Sequence, residues 1–200
     1  MLRRPVHSAR AVALTVRSLG ISRHRRFASA AADISAAAVI KPWEGGESIL
    51  VAARDFQADD EMFSFTGVLK RQFFSHSLMV GGEAHLHPHE PLEEQPWIYL
   101  NHSFSPTVRL SHVPVANAEA PAPLLTATAN VDLAAGAMLT IDYTLHEWEI
   151  SAPFVCAESG REVRGFKHLA EAEQEAALAA AQPHVRSLYL QHLFGQSSRC

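Results

Sequence analysis

The sequence predicts a mainly β (α+β) protein with helices gathered at its C-terminal end. Three observations carry that reading. Apolar, β-leaning runs recur between residues 48 and 143, parted by turn residues. From His168 to Gln182 the chain is rich in Ala, Glu and Leu and lacks Gly and Pro, the composition of a helix. Hydrophobic residues make up 48% of the chain and charged residues 19%, so a packed core forms and wholesale disorder is excluded.

The elements follow in order. Ser48–Ala53 is an apolar strand, Asp55–Glu61 a polar turn, and Met62–Leu69 a second strand. Phe73–Val80 is a third, closed by Gly81-Gly82. Residues 83–96, rich in His, Pro and Glu, read as a loop. Trp97–Leu100 reads as a short strand leading into Asn101-His102-Ser103, and Val108–Val113 as another. Ala116–Pro123 is an Ala/Pro loop. Leu124–Val131 and Met138–Tyr143 are strands around the turn Asp132–Gly136. The helix from His168 to Gln182 is broken by Pro183, and a shorter one follows to Phe194.

The charge is divided unevenly. Residues 1–32 hold seven of the 17 basic residues and no acid. Residues 33–200 therefore set 10 basic against 21 acidic residues, a net charge of −11. Such a body repels nucleic acid and draws basic partners. Residues 1–32, Arg-rich and Ser/Ala-rich, have the composition of an organelle transit peptide, mitochondrial rather than plastid because arginine dominates. Arg25-Arg26-Phe27 followed by Ala28-Ser29 resembles a matrix cleavage site. The other readings of this segment are a disordered basic tail or a nucleic-acid arm. The organisation is a transit peptide (1–32), a β domain (33–167) and a helical segment (168–200). No apolar run reaches the ~20 residues that span a bilayer, so no stable membrane insertion is expected. The sequence sets no oligomeric state.

Two segments carry the functional reading: Asn101-His102-Ser103 with Pro106, and Leu139-Thr140-Ile141-Asp142-Tyr143 behind the Asp132–Gly136 turn. In this order and spacing they resemble the SET-domain family of protein lysine methyltransferases. Gly45–Phe56 resembles that family's opening Gly-rich turn and strand. Phe154-x-Cys156 and Arg164-Gly165 fall where its post-SET segment begins and ends. The resemblance runs from about residue 43 to 167. It implies short bent sheets around a pseudo-knot, with the strand before Tyr143 threaded beside Asn101-His102-Ser103. It implies S-adenosylmethionine as cofactor and a lysine-bearing protein as substrate. By the same resemblance Tyr143 is catalytic. Asn101, His102 and the Gly45-Gly46 turn hold the cofactor, and Trp148 or Phe154 stacks on its adenine.

The chemistry needs such groups. A lysine amine, with a pKa of roughly 10.4 in water, must lose a proton in an apolar channel and be held in line with the methyl. A tyrosine hydroxyl and backbone carbonyls can orient it. Each residue also has an ordinary reading. Tyr143 suits a half-buried strand end, Asn101-His102-Ser103 a turn with side-chain hydrogen bonds, Gly45-Gly46 a hinge, and Trp148 and Phe154 a core.

The pattern departs from the family at several points. Of the post-SET zinc cysteines only Cys156 is present, with Glu158 and Val163 in the other places. One thiolate cannot build a tetrahedral sulfur site, so no zinc is expected. Phe104 and Thr107 replace the usual Cys and Asn after Asn-His-Ser, and the usual Gly-x-Gly spacing is missing. A SET-like interaction module without catalysis is one alternative. A cupin-like metal enzyme is another, because His85, His87, His89 and Glu90 form a faint ligand pattern, although Pro88 disturbs a central strand. The ordinary reading of that segment is a solvated loop. The helix AEAEQEAALAAAQ packs on the domain or a partner.

Overall fold

A computed structural model describes residues 34–43 and 46–197. The arginine-rich segment 1–32, Gly45 and Cys200 lie outside them. The chain is mainly β, with α1 at Ile34–Ala37 and two helices at the C-terminal end, α2 at Glu171–Ala177 and α3 at Pro183–Ser197. Among the described residues twelve short strands lie between: β1 Ala38–Pro42, β2 Ser48–Ala52, β3 Glu61–Phe65, β4 Val68–Lys70, β5 Leu78–Met79, β6 His85–His87, β7 Asn101–His102, β8 Val108–Ser111, β9 Leu125–Ala129, β10 Thr140–Ile141, β11 Phe154–Val155 and β12 Glu162–Val163. They form five small sheets, ordered β1-β2, β4-β6-β5, β3-β9-β8, β7-β10 and β11-β12.

β1 and β2 run antiparallel from Ala38↔Ala52 to Pro42↔Ser48. Gly46 lies between them with φ +86°, a conformation that side chains with a Cβ avoid. β2 is buried along Ile49–Ala52, which explains its unbroken apolar run. Its free edge takes up the segment before Tyr143, because Leu139 donates its amide to Leu50 O (2.8 Å) and Ala52 to Ala137 O (2.8 Å). The turn that delivers this segment is latched by two aspartates: Asp132 accepts from the Ala58 amide (2.8 Å) and Asp55 from the Ala135 amide (2.7 Å).

One core cluster gathers Leu50, Phe63, Leu86, Leu125 and Leu139, all fully buried. A second, around Phe166, Ala181, Val185 and Tyr189, docks the C-terminal helices. Gln182 fastens α3 to the domain, donating from Nε2 to Leu110 O (2.7 Å) and from its amide to Leu145 O (2.8 Å).

Several local expectations are corrected. Trp97–Leu100, read as a strand, lies in and at the end of a 3-10 helix at Pro96–Tyr99, because Trp97 packs flat on Phe65 (4.9 Å, 13°) and contact with the core outweighs β-propensity. Residues 83–96 hold β6, the central strand of its sheet, which ends at His87 just before Pro88. Met62–Leu69 splits into β3 and β4. Only Leu78–Met79 of Phe73–Val80 pairs as a strand. The long helix is confined to Glu171–Ala177, and Pro183 begins α3 rather than ending anything. Proline suits a first helical position, where its missing N–H would have no partner anyway. β1, β11 and β12 had no clear signal in the sequence.

Candidate functional site

The two signature segments meet as the only parallel strand pair among the described residues. Thr140 lies opposite Asn101 and Ile141 opposite His102. Parallel neighbours need a long crossover, supplied here by the chain through β8 and β9. The pair is short but tightly held. The Ser103 amide donates to Ile141 O (3.1 Å). Thr107 Oγ1 donates to Met138 O (3.0 Å) and accepts from the Thr140 amide (2.9 Å). Thr107 thus ties the two segments together.

Tyr143 begins a 3-10 turn directly after β10, capped by Asp142 through the Thr144 amide. Its hydroxyl donates to Leu100 O (2.7 Å). The phenolic proton is therefore committed to a backbone carbonyl, and the oxygen lone pairs face elsewhere. Burial pushes its pKa up to about 12, helped by the nearby Glu147, so Tyr143 stays neutral. The Tyr143 amide donates to His102 Nδ1 (3.1 Å). That contact places the His102 proton on Nε2, which is buried and has no partner among the described residues. Burial lowers the His102 pKa to about 4, so the ring is neutral near pH 7 and Asp142, 3.8 Å away, does not form an ion pair with it.

Phe154 completes an aromatic cluster. Its ring lies 5.8 Å edge-on from both His102 and Tyr143, and Phe104 lies 4.5 Å from His102. Asn101 is half-buried, and its side chain makes no hydrogen bond among the described residues. Gly46 has open space beyond it, and Gly45 lies outside the described residues. Trp148 does not join this cluster. It packs on Phe166 (6.2 Å) and His192 (5.7 Å) beside the C-terminal helices.

The β11–β12 hairpin holds Phe154 in place. Glu158, in its turn, accepts from Ser103 Oγ (2.5 Å). Arg161 lies over the Phe104 ring (4.3 Å) and pairs with Glu173 (2.6 Å). The Cys156 amide donates to Arg161 O (2.8 Å). The hairpin is thus anchored by a carboxylate, a cation over a ring and backbone bonds. Among the described residues, no group of three or more His, Cys, Asp or Glu could hold a metal ion. In the His-rich segment, His87 is buried, bonds to Gln72 O (2.6 Å) and stacks on Phe74 (5.8 Å, 17°).

Tyr143 and Phe154 also wall a cavity of about 300 Å³. Its other walls include Leu78, Trp97, Ile98, Leu100 and Ile141, with Glu147 as the one carboxyl group. Glu147 is buried and accepts from the Met79 amide (2.8 Å). Burial raises its pKa to about 8. Asn101 and His102 are not among the cavity walls, whereas Ile141 and Tyr143 of the second signature segment are. Sequence reasoning missed Leu100, Ser103 with Glu158, and Glu147. Nothing in the alternation of Glu147 and Glu149 marks one as buried and the other as exposed.

Fold and site together define a mainly β protein with a fixed, neutral tyrosine between a histidine-aromatic cluster and an apolar cavity. No protein-family model matches the chain, and no curated protein matches it. Among solved structures it is similar to a Plasmodium falciparum protein described as a candidate histone methyltransferase, at 12% identity and TM-score 0.42, over 54% of this chain and 92% of that one. It is also similar to CpSET8 from Cryptosporidium, at 19% identity and TM-score 0.40, over 53% of this chain and 56% of that one. The chain thus spans little more than half of the second protein.

Proposed function

We propose that this chain is a SET-like methyltransferase that moves a methyl group from S-adenosylmethionine to a lysine side chain of a protein, and that it acts in mitochondria. The observation that carries the reading is the Tyr143 hydroxyl, fixed on Leu100 O beside the paired signature segments and opening on an apolar cavity. Two features suit the cofactor. The buried His102 Nε2 lacks a partner, and the half-buried Asn101 amide is uncommitted, so both can serve a polar ligand. S-adenosylmethionine, when bound, supplies a methyl group on a cationic sulfonium.

The chain's own residues do the rest. Asn101, His102 and the Gly46 turn hold the cofactor, with Phe154 as the stacking ring because it stands at the site. Tyr143 O and Leu100 O present electron-rich atoms toward a partly positive methyl and an incoming amine. The apolar cavity disfavours an ammonium and so promotes loss of its proton. The threaded topology that the resemblance implies belongs to this reading. The acidic body favours encounter with lysine-bearing partners, and the basic leader directs import.

The test is calorimetry of S-adenosylmethionine with the purified full chain. Saturable binding, weakened at least tenfold in Asn101→Ala, is expected. No binding at millimolar ligand by folded protein would leave a SET-like interaction module. Fusion of residues 1–32 to a fluorescent protein tests the leader, and a cytosolic signal would refute import.

A further inference from the structure

Three histidines meet where α3 docks on the domain. His112 follows β8, His146 closes the 3-10 turn that Tyr143 begins, and His184 is the second residue of α3. His146 and His184 are 3% and 6% exposed, and the His112 and His184 rings lie 6.0 Å apart. His184 Nε2 donates to His146 O (2.8 Å), and His112 Nδ1 donates to Val113 O (3.1 Å). The ring must be the donor in each bond, because a carbonyl oxygen only accepts. Both rings have thus committed their one N–H and keep a basic nitrogen. Those atoms, His184 Nδ1 and His112 Nε2, are buried without a partner among the described residues, and so is His146 Nδ1. Buried polar atoms normally find partners, so three together form a store of unmet proton acceptors.

Their surroundings oppose a positive charge. His85 of β6 is a further titratable group acting on His184. No carboxylate is among the groups that shift His112, His146 or His184. Glu147, next in the chain to His146, is turned to the Met79 amide, and His192 of α3 packs on Trp148. His184 also stands at the positive end of the α3 dipole. Burial, with repulsion from neighbouring histidines added, lowers His184 to about 4 and His146 to about 3. Burial lowers His112 as well. The bonds that fasten α3 fall beside the same rings. Gln182 donates to Leu110 O, two residues before His112, and to Leu145 O, directly before His146. The His146 amide in turn donates to Tyr143 O (3.0 Å).

We infer that His112, His146 and His184 form an acid-operated latch, whose protonation releases α3 from β8 and from the Tyr143 turn while the sheets stay folded. The inference stands apart from the proposed function. Solvent supplies the protons, each adds to a bare ring nitrogen, and only hydrogen bonds and packing contacts are broken. A docked ring resists the proton, whereas a released ring in water takes it at a pKa of roughly 6.5. The docking contribution is therefore fully present above about 6.5 and is lost as pH falls toward 4. The three rings are uncovered together, so opening takes up close to three protons. Its equilibrium constant then rises toward 1000-fold per pH unit below about pH 6.

The experiment is hydrogen exchange of the full chain, followed by NMR between pH 7 and 4.5 and corrected for the intrinsic pH dependence of exchange. From pH 7 to 5 the protection of amides 187–194 is expected to fall at least 100-fold, with two or more protons taken up. The amides of β3 and β9 should stay at least tenfold better protected. His184→Gln keeps a donor for His146 O, His112→Asn keeps one for Val113 O, and neither new side chain titrates. Together they should cut proton uptake to about one and keep α3 docked to lower pH. Should the double variant fail to fold, the wild-type slope and the gap between α3 and β9 decide alone. Loss of α3 protection in step with β9, to the same level, would mean global unfolding and overturn the latch. Protection unchanged down to pH 5, or an undiminished slope in the double variant, would overturn it too.

Discussion

Tyr143 is held by two bonds with different consequences. Its amide fixes the His102 tautomer, and its hydroxyl caps Leu100 O. Removing the hydroxyl in Tyr143→Phe leaves the amide bond and the ring contacts. Under the proposed function it should cut single-turnover methyl transfer by about 100-fold or more while S-adenosylmethionine affinity stays within threefold. Unchanged turnover would take Tyr143 out of the chemistry. Glu147 carries the opposite electrostatic burden. Its pKa is raised from 4.5 to about 8 by burial, so the folded state holds the proton more tightly than the unfolded one. The associated stability is fully present below pH 4.5 and is lost as pH rises through 8. Between pH 5 and 8 the loss is on the order of 3 kcal/mol. Glu147→Gln should flatten that slope in urea unfolding at the two pH values; parallel slopes would show that the carboxyl is not buried as described.

Two elements decide whether the site assembles. The β11–β12 hairpin carries Phe154 and is anchored by Glu158 and Arg161. Chelators should leave the melting temperature unchanged, because no group of three or more His, Cys, Asp or Glu among the described residues could hold a metal ion, and under the proposed function Glu158→Ala should weaken S-adenosylmethionine binding by removing the partner of Ser103. The stretch 147–149 is gripped by the chain returning at Gly165, which has φ +104°. A Cβ there would come within 2.7 Å of Trp148 O and 2.8 Å of Glu149 Cα. Gly165→Ala combines that clash with an unfavourable φ. It should destabilise the fold by about 2 kcal/mol or more in denaturant unfolding and should loosen Glu147, whose carbonyl accepts from the next residue's amide. The sequence placed Arg164-Gly165 at the end of the domain, but only the close packing of Trp148 O shows why glycine stands there.

At the scale of the whole molecule, buried histidines set an acid limit. Burial lowers His102 and His184 to about 4 and His146 to about 3. His184 bonds His146 O (2.8 Å) where α3 docks. Groups depressed in this way contribute stability that is present above about 6.5 and lost as pH falls toward 3–4. Set against the Glu147 slope, the three histidines place the stability maximum near pH 7, and Glu147→Gln should move it to higher pH. A stability profile with no acid limb above pH 3 would contradict the burial of these rings. The second core cluster should matter as much as the first. Truncating its fully buried member in Phe166→Ala should destabilise the fold by about 3–5 kcal/mol, read as a fall in the melting temperature.

The sequence by itself determined the mainly β class, the approximate place of β2, β8 and β9, the lack of thiolates for a zinc site, and the two segments that meet at the site. Those features are local: alternation, turn residues and short motifs each reside in a few consecutive residues. Tertiary structure alone decided the parallel pairing of β7 with β10, the 3-10 turn at Trp97, the separation of Trp148 from Phe154, and the burial of Glu147 beside an exposed Glu149. Each depends on which distant surface comes to cover a residue. Solvent exclusion, not residue type, turns an ordinary glutamate into a carboxyl with a pKa near 8 and an ordinary histidine into a neutral ring with a free Nε2.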